Sequence, residues 1–140
     1  MKYLGIDYGA KRIGVAVSDE SAMLAFPLGI VAAGRKALQE VLDIARENDV
    51  KIAVIGESLN FSQVKNPIMK EVEVFAAALQ SNNVAVVFEP EFMTSAQATR
   101  VEEKLHRPRQ RQTVSSKSEK LDASAAALIL QSYLDRLRNL

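Results

Sequence analysis

Two runs at the start of the chain, residues 2–9 and 12–18, alternate bulky and small side chains. Successive side chains of a β-strand point to opposite faces, so each run predicts a strand with one bulky face and one thin face. The bulky positions are Leu4, Ile6, Tyr8, Ile13, Val15 and Val17. Asp7 lies on the thin face, between Gly5 and Gly9. Glycine inside a strand often marks close approach by a ligand or by another backbone, so two interpretations stay open. The thin face either receives a ligand at Asp7 or lets a helix pack closely while Asp7 is solvated.

The rest of the chain alternates between short apolar runs and segments of helical period. Pro27 indicates a strand at a sheet edge or a bulge, and Pro67 suits the first turn of a helix. Ser116 and Glu119 form a capping box, which predicts where the last helix begins. Between these elements, 57–66 and 106–115 are predicted as loops. The other predicted elements are a strand over 23–31, a helix over 35–48, a strand over 52–55, a helix over 67–83, a strand over 84–88, a helix over 94–105 and a helix over 116–136.

This order, β-β-β-α-β-α-β-α-α, predicts an α/β fold with a mixed five-stranded sheet. An antiparallel meander comes first, and strands linked through helices should then be parallel with right-handed crossovers. Helices should cover the faces of such a sheet. A chain of 140 residues is of the size of a single domain, so residues 1–140 are predicted to form one.

Composition excludes several classes of function. The chain has 18 Lys+Arg against 17 Asp+Glu, so any case for nucleic acid must rest on local clusters of charge. It has no Cys, which excludes disulfides, zinc fingers and thiol catalysis and suits a reducing cytoplasm. The single His, His106, excludes a His-cluster metal site. We find no signal peptide and no apolar run long enough for a membrane helix, so no membrane partner is expected.

Three acidic residues fall where the predicted fold could bring them together. Asp7 is near the end of the first strand, Glu91 comes just past the strand over 84–88, and Asp122 is in the first turns of the last helix. Ligands of open α/β sheets gather at the carboxyl ends of the strands. Carboxylates that converge there require a cation, and an all-oxygen ligand set suits Mg²⁺ or Mn²⁺. Two such ions would clamp the attacking and leaving oxygens of a phosphodiester.

Each acid also has a plainer interpretation. Asp122 near a helix N-terminus is favourable for the helix dipole, and Glu91 could be an ordinary loop residue. Spacing alone does not exclude Asp19, Glu57 or Glu89 as members of the site, so the choice among the acids stays open.

Basic residues cluster in two places. The predicted loop before the last helix and its flank carry Arg107, Arg109, Arg111 and Lys117. Lys11 and Arg12 add positive charge at the hairpin beside Asp7. A basic loop next to an acidic site could hold a phosphate backbone without reading its sequence. The plainer interpretation is a solvated surface loop. Aromatic residues are not interleaved with this stretch, so base stacking on it is not supported.

Three segments, residues 4–16, 91–95 and 120–131, together resemble the YqgF family, also called RuvX. The opening run LGIDYGAKRIGVA is similar to the family's first motif, and KLDASAAALILQ is similar to its second signature. The resemblance spans the whole chain. It implies an RNase H-like fold and assigns Asp7, Glu91 and Asp122 as catalytic, metal-binding acids. The same three acids emerge from their positions in the predicted fold.

The chain departs from the family pattern at several positions. Pro90 stands where the family has an acid, and Phe92 stands where it has an Arg. The family's Gly-Leu-Pro after the fourth strand is Gly56-Glu57-Ser58 here, and the loop that follows lacks its glycine. These departures affect substrate contacts and a possible phosphate clamp and leave the three acids unchanged.

The resemblance implies a phosphodiester hydrolase that uses Mg²⁺ or Mn²⁺ on structured nucleic acid. The leading hypothesis is maturation of the 5′ end of pre-16S rRNA in ribosome biogenesis. One alternative is a Holliday-junction resolvase acting on branched DNA, for which symmetric cutting requires a two-fold dimer. A second is a non-catalytic RNA-binding module for ribosome assembly. A third is half of an actin-like or sugar-kinase-like ATPase, a fold that needs two such domains. Monomer and homodimer both stay open.

Overall fold

The computed structural model describes residues 1–58, 68–91 and 114–139 of the chain. The side chains of Ser58, Glu91 and residues 114–122 are outside this description. Within these ranges the chain forms a five-stranded sheet with helices on both faces. The strands are β1 (Lys2–Tyr8), β2 (Arg12–Ser18), β3 (Ala25–Ala32), β4 (Val50–Ser58) and β5 (Ala85–Glu91). The helices are α1 (Ala37–Glu47), α2 (Met69–Ser81) and α3 (Val114–Arg138).

The strands lie in the order β3-β2-β1-β4-β5. The pairs β1–β2 and β2–β3 are antiparallel, whereas β1–β4 and β4–β5 are parallel. This is the predicted meander followed by parallel strands, which confirms the α/β fold class. Residues Ile6, Ile55 and Phe88 form one row across the parallel strands, because Ile6 pairs with Ile55 and Ile55 with Phe88.

The bulky face of the first two strands is packed under α1 and α2, as the alternation predicts. Leu4, Ile6, Ile13 and Val15 are almost inaccessible to solvent and form one core with residues of both helices. Successive side chains alternate between faces, so the opposite face carries the small residues of β1 and β2.

Helix α3 covers this thin face. Ala16 and Val54 of the sheet form a second core with Ala126, Leu130 and Leu134 of the helix. Small residues on the strands let the helix axis approach the sheet, and long aliphatic residues of the helix fill the remaining space. None of the helices in the described ranges combines the length and apolar composition that would span a membrane.

Strand β3 is the edge strand that Pro27 predicts. It pairs only with β2 in the described sheet, and its register shifts between Val15 and Ala16, next to the residue that pairs with Pro27. Proline cannot donate a backbone hydrogen bond to a neighbouring strand. At a sheet edge or at a bulge no such donor is required.

Several predicted boundaries are wrong. Strand β4 continues through Glu57 and Ser58, which were predicted as loop, because β5 pairs with it as far as Ser58 opposite Glu91. Glu91 is therefore the last residue of β5 and does not lie past its end. Pro90 is tolerated because β5 is the other edge of the described sheet.

Helix α3 begins at Val114, so the capping box at Ser116 does not mark its start. Val114 and Ser115 have moderate helix propensity, and no Gly or Pro separates them from the rest of the helix. The predicted helix over 94–105, most of the predicted loop over 106–115, and Pro67 lie outside the described residues.

Candidate active site

The carboxyl ends of β1, β4 and β5 form one rim of the sheet, since these strands are parallel. Asp7 is on β1 one residue before its end, and it is half-buried. It pairs with Gly14 of β2, so the residue directly opposite it on that strand has no side chain. The small residues Gly5 and Gly14 therefore keep this face of the hairpin thin near Asp7.

Tyr8, the neighbour of Asp7, anchors the end of β1 from the other face. Its ring lies 5.2 Å from the ring of Phe75 on α2, measured between centroids. Burial, together with the nearby negative charge of Glu71, raises the pKa of the Tyr8 hydroxyl. The packing of Tyr8 fixes the backbone that carries Asp7.

Helix α3 crosses β1 in the opposite direction to the strand. The rings of Tyr3 and Tyr133 lie 5.7 Å apart, and Gly5 lies against Ala126 and Leu130. A Cβ atom on Gly5 would be 2.7 Å from the Ala126 carbonyl oxygen and 2.8 Å from the Leu130 Cβ atom. Thus, of the two interpretations of the thin face, close packing of a helix is confirmed at Gly5.

The other two predicted acids are described by their backbone. Position 122 is on α3 one helical turn before Ala126. Glu91 ends β5 and pairs with Ser58 of β4. Of the predicted site residues, Asp7 is the acid whose side chain the structure describes.

Glu89 is a strong competitor by position, because it pairs with Gly56, the residue after the Ile55 that pairs with Ile6 of β1. It is 5% exposed. Its carboxylate accepts a hydrogen bond from the Ser132 hydroxyl at 3.2 Å and forms an ion pair with Arg136. A buried carboxylate needs such partners. Glu89 thus ties β5 to the carboxyl-terminal half of α3.

The other two competitors are placed away from Asp7. Glu57 follows Ile55 by two residues on β4, and Ile55 belongs to the core under α1 and α2, so Glu57 is on the opposite face. Asp19 follows β2 at the other rim of the sheet. The backbone N–H groups of Met23 and Leu24 donate to its carboxylate and lower its pKa.

The hairpin that joins β1 and β2 brings two predicted cations to the rim. The Gly9 N–H donates to the Arg12 carbonyl at 2.9 Å, which closes the turn. Lys11 is exposed and Arg12 is half-buried. Arg12 alternates with Gly14, so it shares the α3 face with Asp7. Lys117 is on α3 with its side chain outside the description, and the other predicted cations lie outside the described residues, namely Arg107, Arg109 and Arg111.

Arg35 and Lys36 reach the same rim and were not among the predicted site residues. They follow β3, which runs parallel to β1 and therefore ends at the same rim. The available signal in the sequence was an Arg-Lys pair between a predicted edge strand and a helix, but only the strand order shows where that strand ends.

Solved structures with this fold include two groups of resolvases. A fowlpox virus resolvase in complex with substrate Holliday junction DNA is 13% identical, with a TM-score of 0.58 over 98% of this chain and 99% of that chain. RuvC from Thermus thermophilus is 16% identical, with a TM-score of 0.55 over 98% of this chain and 96% of that one. At these identities the likeness defines the class of fold, which is the RNase H-like fold of the resolvases.

The family follows from the sequence comparisons. The family model RuvX, described as Holliday junction resolvase, matches residues 1–136, and the chain belongs to this family of nucleases. A relative from Opitutus terrae is 37% identical over 139 residues, covering 97% of this chain and 92% of the relative. A relative from Syntrophus aciditrophicus is 36% identical over 144 residues, covering 98% and 90%. Both carry the name "Putative pre-16S rRNA nuclease".

Proposed function

We propose that residues 1–140 form a single nuclease domain that cleaves structured RNA in the cytoplasm, with the 5′ end of the 16S rRNA precursor as its substrate. In this proposal Asp7, Glu91 and Asp122 are the catalytic acids and hold Mg²⁺ or Mn²⁺. The observation that carries it is the position of Asp7, at the carboxyl end of β1 and on the face covered by α3.

The spacing of strand and helix supports a common site for Asp7 and Asp122. Asp7 is two residues beyond Gly5, an advance of about 7 Å along a strand. Position 122 is four residues before Ala126, an advance of about 6 Å along a helix. Helix α3 and β1 run in opposite directions where they meet at Gly5. The step forward along β1 from Gly5 to Asp7 and the step backward along α3 from Ala126 to position 122 therefore lead toward the same rim of the sheet.

Strand alternation supports the third acid. Glu89 faces α3, where it contacts Ser132 and Arg136, and Glu91 is two residues further along β5. Residues two apart on a strand share a face. Glu91 is therefore expected on the same face as Asp7, at the same rim, while Glu89 is already engaged with the helix.

The donor set fits a hard divalent cation. The three acids offer only carboxylate oxygens, the chain has no Cys, and its single His is not among the proposed ligands. Oxygen-only sites favour Mg²⁺ and Mn²⁺ over zinc or copper. When bound, such an ion would lower the pKa of a bound water and neutralise negative charge on the phosphate.

The chain's own residues would position the substrate. The packing of Tyr8 on one face and of α3 on the other holds Asp7 on a rigid strand. Lys11 and Arg12 flank it at the hairpin and would contact phosphate oxygens. The same role is proposed for Arg107, Arg109, Arg111 and Lys117. Contacts of this kind orient a nucleic acid and carry no sequence information.

Cleavage of a Holliday junction is a second candidate function. The description of the matching family model and the junction DNA bound by the fowlpox virus resolvase favour it. The names of the curated relatives favour RNA. Symmetric cutting of a junction requires a homodimer, whereas cutting of one RNA strand is compatible with a monomer.

The experiment compares cleavage of a labelled pre-16S 5′ segment and of a four-way DNA junction, each with Mg²⁺. Asp7→Asn should lose cleavage by at least a hundredfold and keep its thermal unfolding temperature. Glu57→Gln is the matched control, since it removes one negative charge at the same rim from the opposite face, and it should cleave like the wild type. If Asp7→Asn cleaves as fast as the wild type, the proposal that this site is catalytic is wrong. A wild-type chain that binds the RNA and does not cut it would favour the non-catalytic assembly module.

A further inference from the structure

The turn between β3 and α1 lies against the tip of the β1–β2 hairpin. Ala32, the last residue of β3, pairs with Arg12. The Ala33 N–H then donates to the Lys11 carbonyl at 3.0 Å. Arg35 and Lys36 follow within three residues, before α1 begins at Ala37. The backbone hydrogen bond thus joins two basic pairs that are distant in the sequence.

These four residues form what we call the basic rim, defined as Lys11, Arg12, Arg35 and Lys36. Lys11, Arg35 and Lys36 are exposed, and Arg12 is half-buried. Among the described residues, no acidic side chain is ion-paired with Lys11, Arg35 or Lys36. Along the chain, the acids nearest to this group are Asp7 on β1 and Glu40 in the first turn of α1, each four residues away. Positive charge therefore dominates this part of the surface.

Two of these cations, Arg35 and Lys36, lie at the N-terminus of α1, where positive charge destabilises a helix. Lys36 is the N-cap residue of the helix and makes no side-chain capping hydrogen bond. Cations near a helix N-terminus interact unfavourably with the helix dipole, and the preferred caps are Ser, Thr, Asp and Asn. A local choice that works against the fold is expected where a residue serves function.

At the opposite rim of the sheet, cations and acids are interspersed. Lys2 and Lys51 are there, at the amino ends of β1 and β4. They are accompanied by acids, namely Asp19, Glu20 and Asp49. The basic rim is therefore a local group of cations, and the same edge of the sheet also carries the acids Asp7, Glu57 and Glu91 on β1, β4 and β5.

We infer that the basic rim binds the phosphate backbone of a structured nucleic acid and guides it to Asp7, with Arg35 and Lys36 as contacts that extend those of the hairpin. This inference rests on the proposed function. Gly9 is two residues past Asp7, which puts the hairpin tip about 7 Å from that residue along the strand. A distance of that size is within the screening length of about 8 Å at physiological salt.

The chemistry of the rim predicts the mode of binding. Neither residues 9–12 nor residues 33–37 include an aromatic side chain, so bases have nothing to stack on there. Binding at the rim should depend steeply on salt and little on sequence, because contacts to phosphates release condensed counterions. RNA and branched DNA present the same phosphodiester chemistry, so both are used as probes.

The test measures fluorescence anisotropy of a labelled RNA stem-loop with a single-stranded flank, and of a four-way DNA junction. The full chain is titrated in EDTA, so that no cleavage occurs, at 50 to 200 mM KCl. The double variant Arg35→Gln/Lys36→Gln should raise the Kd about tenfold near 100 mM salt and lower the slope of log K against log salt by about 1 to 2. The matched control, Lys2→Gln/Lys51→Gln, removes the same charge at the opposite rim and should bind like the wild type.

The outcomes separate this inference from the proposed function. If both double variants weaken binding equally, or neither does, or the wild type binds neither probe, the inference is overturned. In a cleavage assay, Arg35→Gln/Lys36→Gln should raise KM and leave kcat unchanged, whereas Asp7→Asn should abolish kcat. Full cleavage by Asp7→Asn would reject the catalytic site and leave the binding result standing. The probe bound more tightly at the rim shows whether RNA or branched DNA is the preferred source of phosphates.

Discussion

At Gly5 the backbone of α3 comes so near to β1 that a side chain has no room. The alternation in the first two runs predicted a thin face, and left a ligand and a helix as its possible occupants. Because Ala126 and Leu130 pack against Gly5, the helix is the occupant of the thin face at this position. Asp7, two residues further along the same face, lies beyond this contact. One glycine thus sets how closely the helix lies over the strand that carries the proposed site.

Replacement of Gly5 by Ala should destabilise the chain by about 1–3 kcal/mol, because the new methyl group would overlap the Ala126 carbonyl and the Leu130 side chain. Urea unfolding followed by circular dichroism measures this change. Gly29→Ala on the edge strand β3 is the matched control, since nothing lies within 4 Å of its added Cβ. Its expected effect is neutral or a stabilisation of up to about 1 kcal/mol. Equal stability of the two variants would mean that α3 does not pack on Gly5.

At the scale of the elements, α3 is fastened to both edges of the sheet by polar contacts. Gln131 accepts a hydrogen bond from the Ala25 N–H at 2.9 Å and donates one to the Met23 carbonyl, also at 2.9 Å. Arg136 pairs with the buried Glu89 of β5. These attachments fix the angle at which the helix crosses the sheet, and hence the place of its amino-terminal half relative to Asp7.

The Glu89–Arg136 pair gives a testable consequence for stability. Arg136→Gln should lower the free energy of unfolding by about 1–3 kcal/mol, because it leaves a buried carboxylate without its charged partner. Arg138→Gln, one half-turn further on, is the matched control, since its partner Asp135 is about half exposed. Exposed pairs of this kind contribute up to about 1 kcal/mol. If thermal unfolding shows the two variants equally stable, Glu89 does not depend on Arg136.

At the scale of the whole molecule, the proposed site joins three elements, β1, β5 and α3, that are far apart in the chain. A cation shared by acids on all three should bind the folded state and have little affinity for the unfolded chain. Ligands of this kind raise the apparent stability by mass action.

Addition of Mn²⁺ at about ten times its Kd should therefore stabilise the wild type by about 1.4 kcal/mol, which corresponds to a rise in Tm of roughly 3 to 6 °C. Differential scanning fluorimetry measures the shift. Asp7→Asn should show little or none of it, and Glu57→Gln should keep it. A shift of the same size in Asp7→Asn would place the bound ion elsewhere in the molecule.

By itself the sequence determined the order of the described elements, the two faces of β1 and β2 and the edge position of β3. These features are encoded locally, in the alternation of bulky and small residues, in helical periods and in single prolines. The three acids that it singled out, Asp7, Glu91 and Asp122, stay a prediction. The family resemblance and the matching family model agree on the class of nuclease.

Only the tertiary structure decided which acids share a face and a rim. In the folded chain Glu89 forms an ion pair with Arg136, Asp19 lies at the far rim, and β4 and β5 continue past their predicted ends. The turn that carries Arg35 and Lys36 lies beside Lys11. Register, strand order and the crossing of α3 depend on contacts between residues that are remote along the chain. The hydrophobic pattern within a single element does not encode these three features, because they are set by which surfaces are buried together when the chain folds.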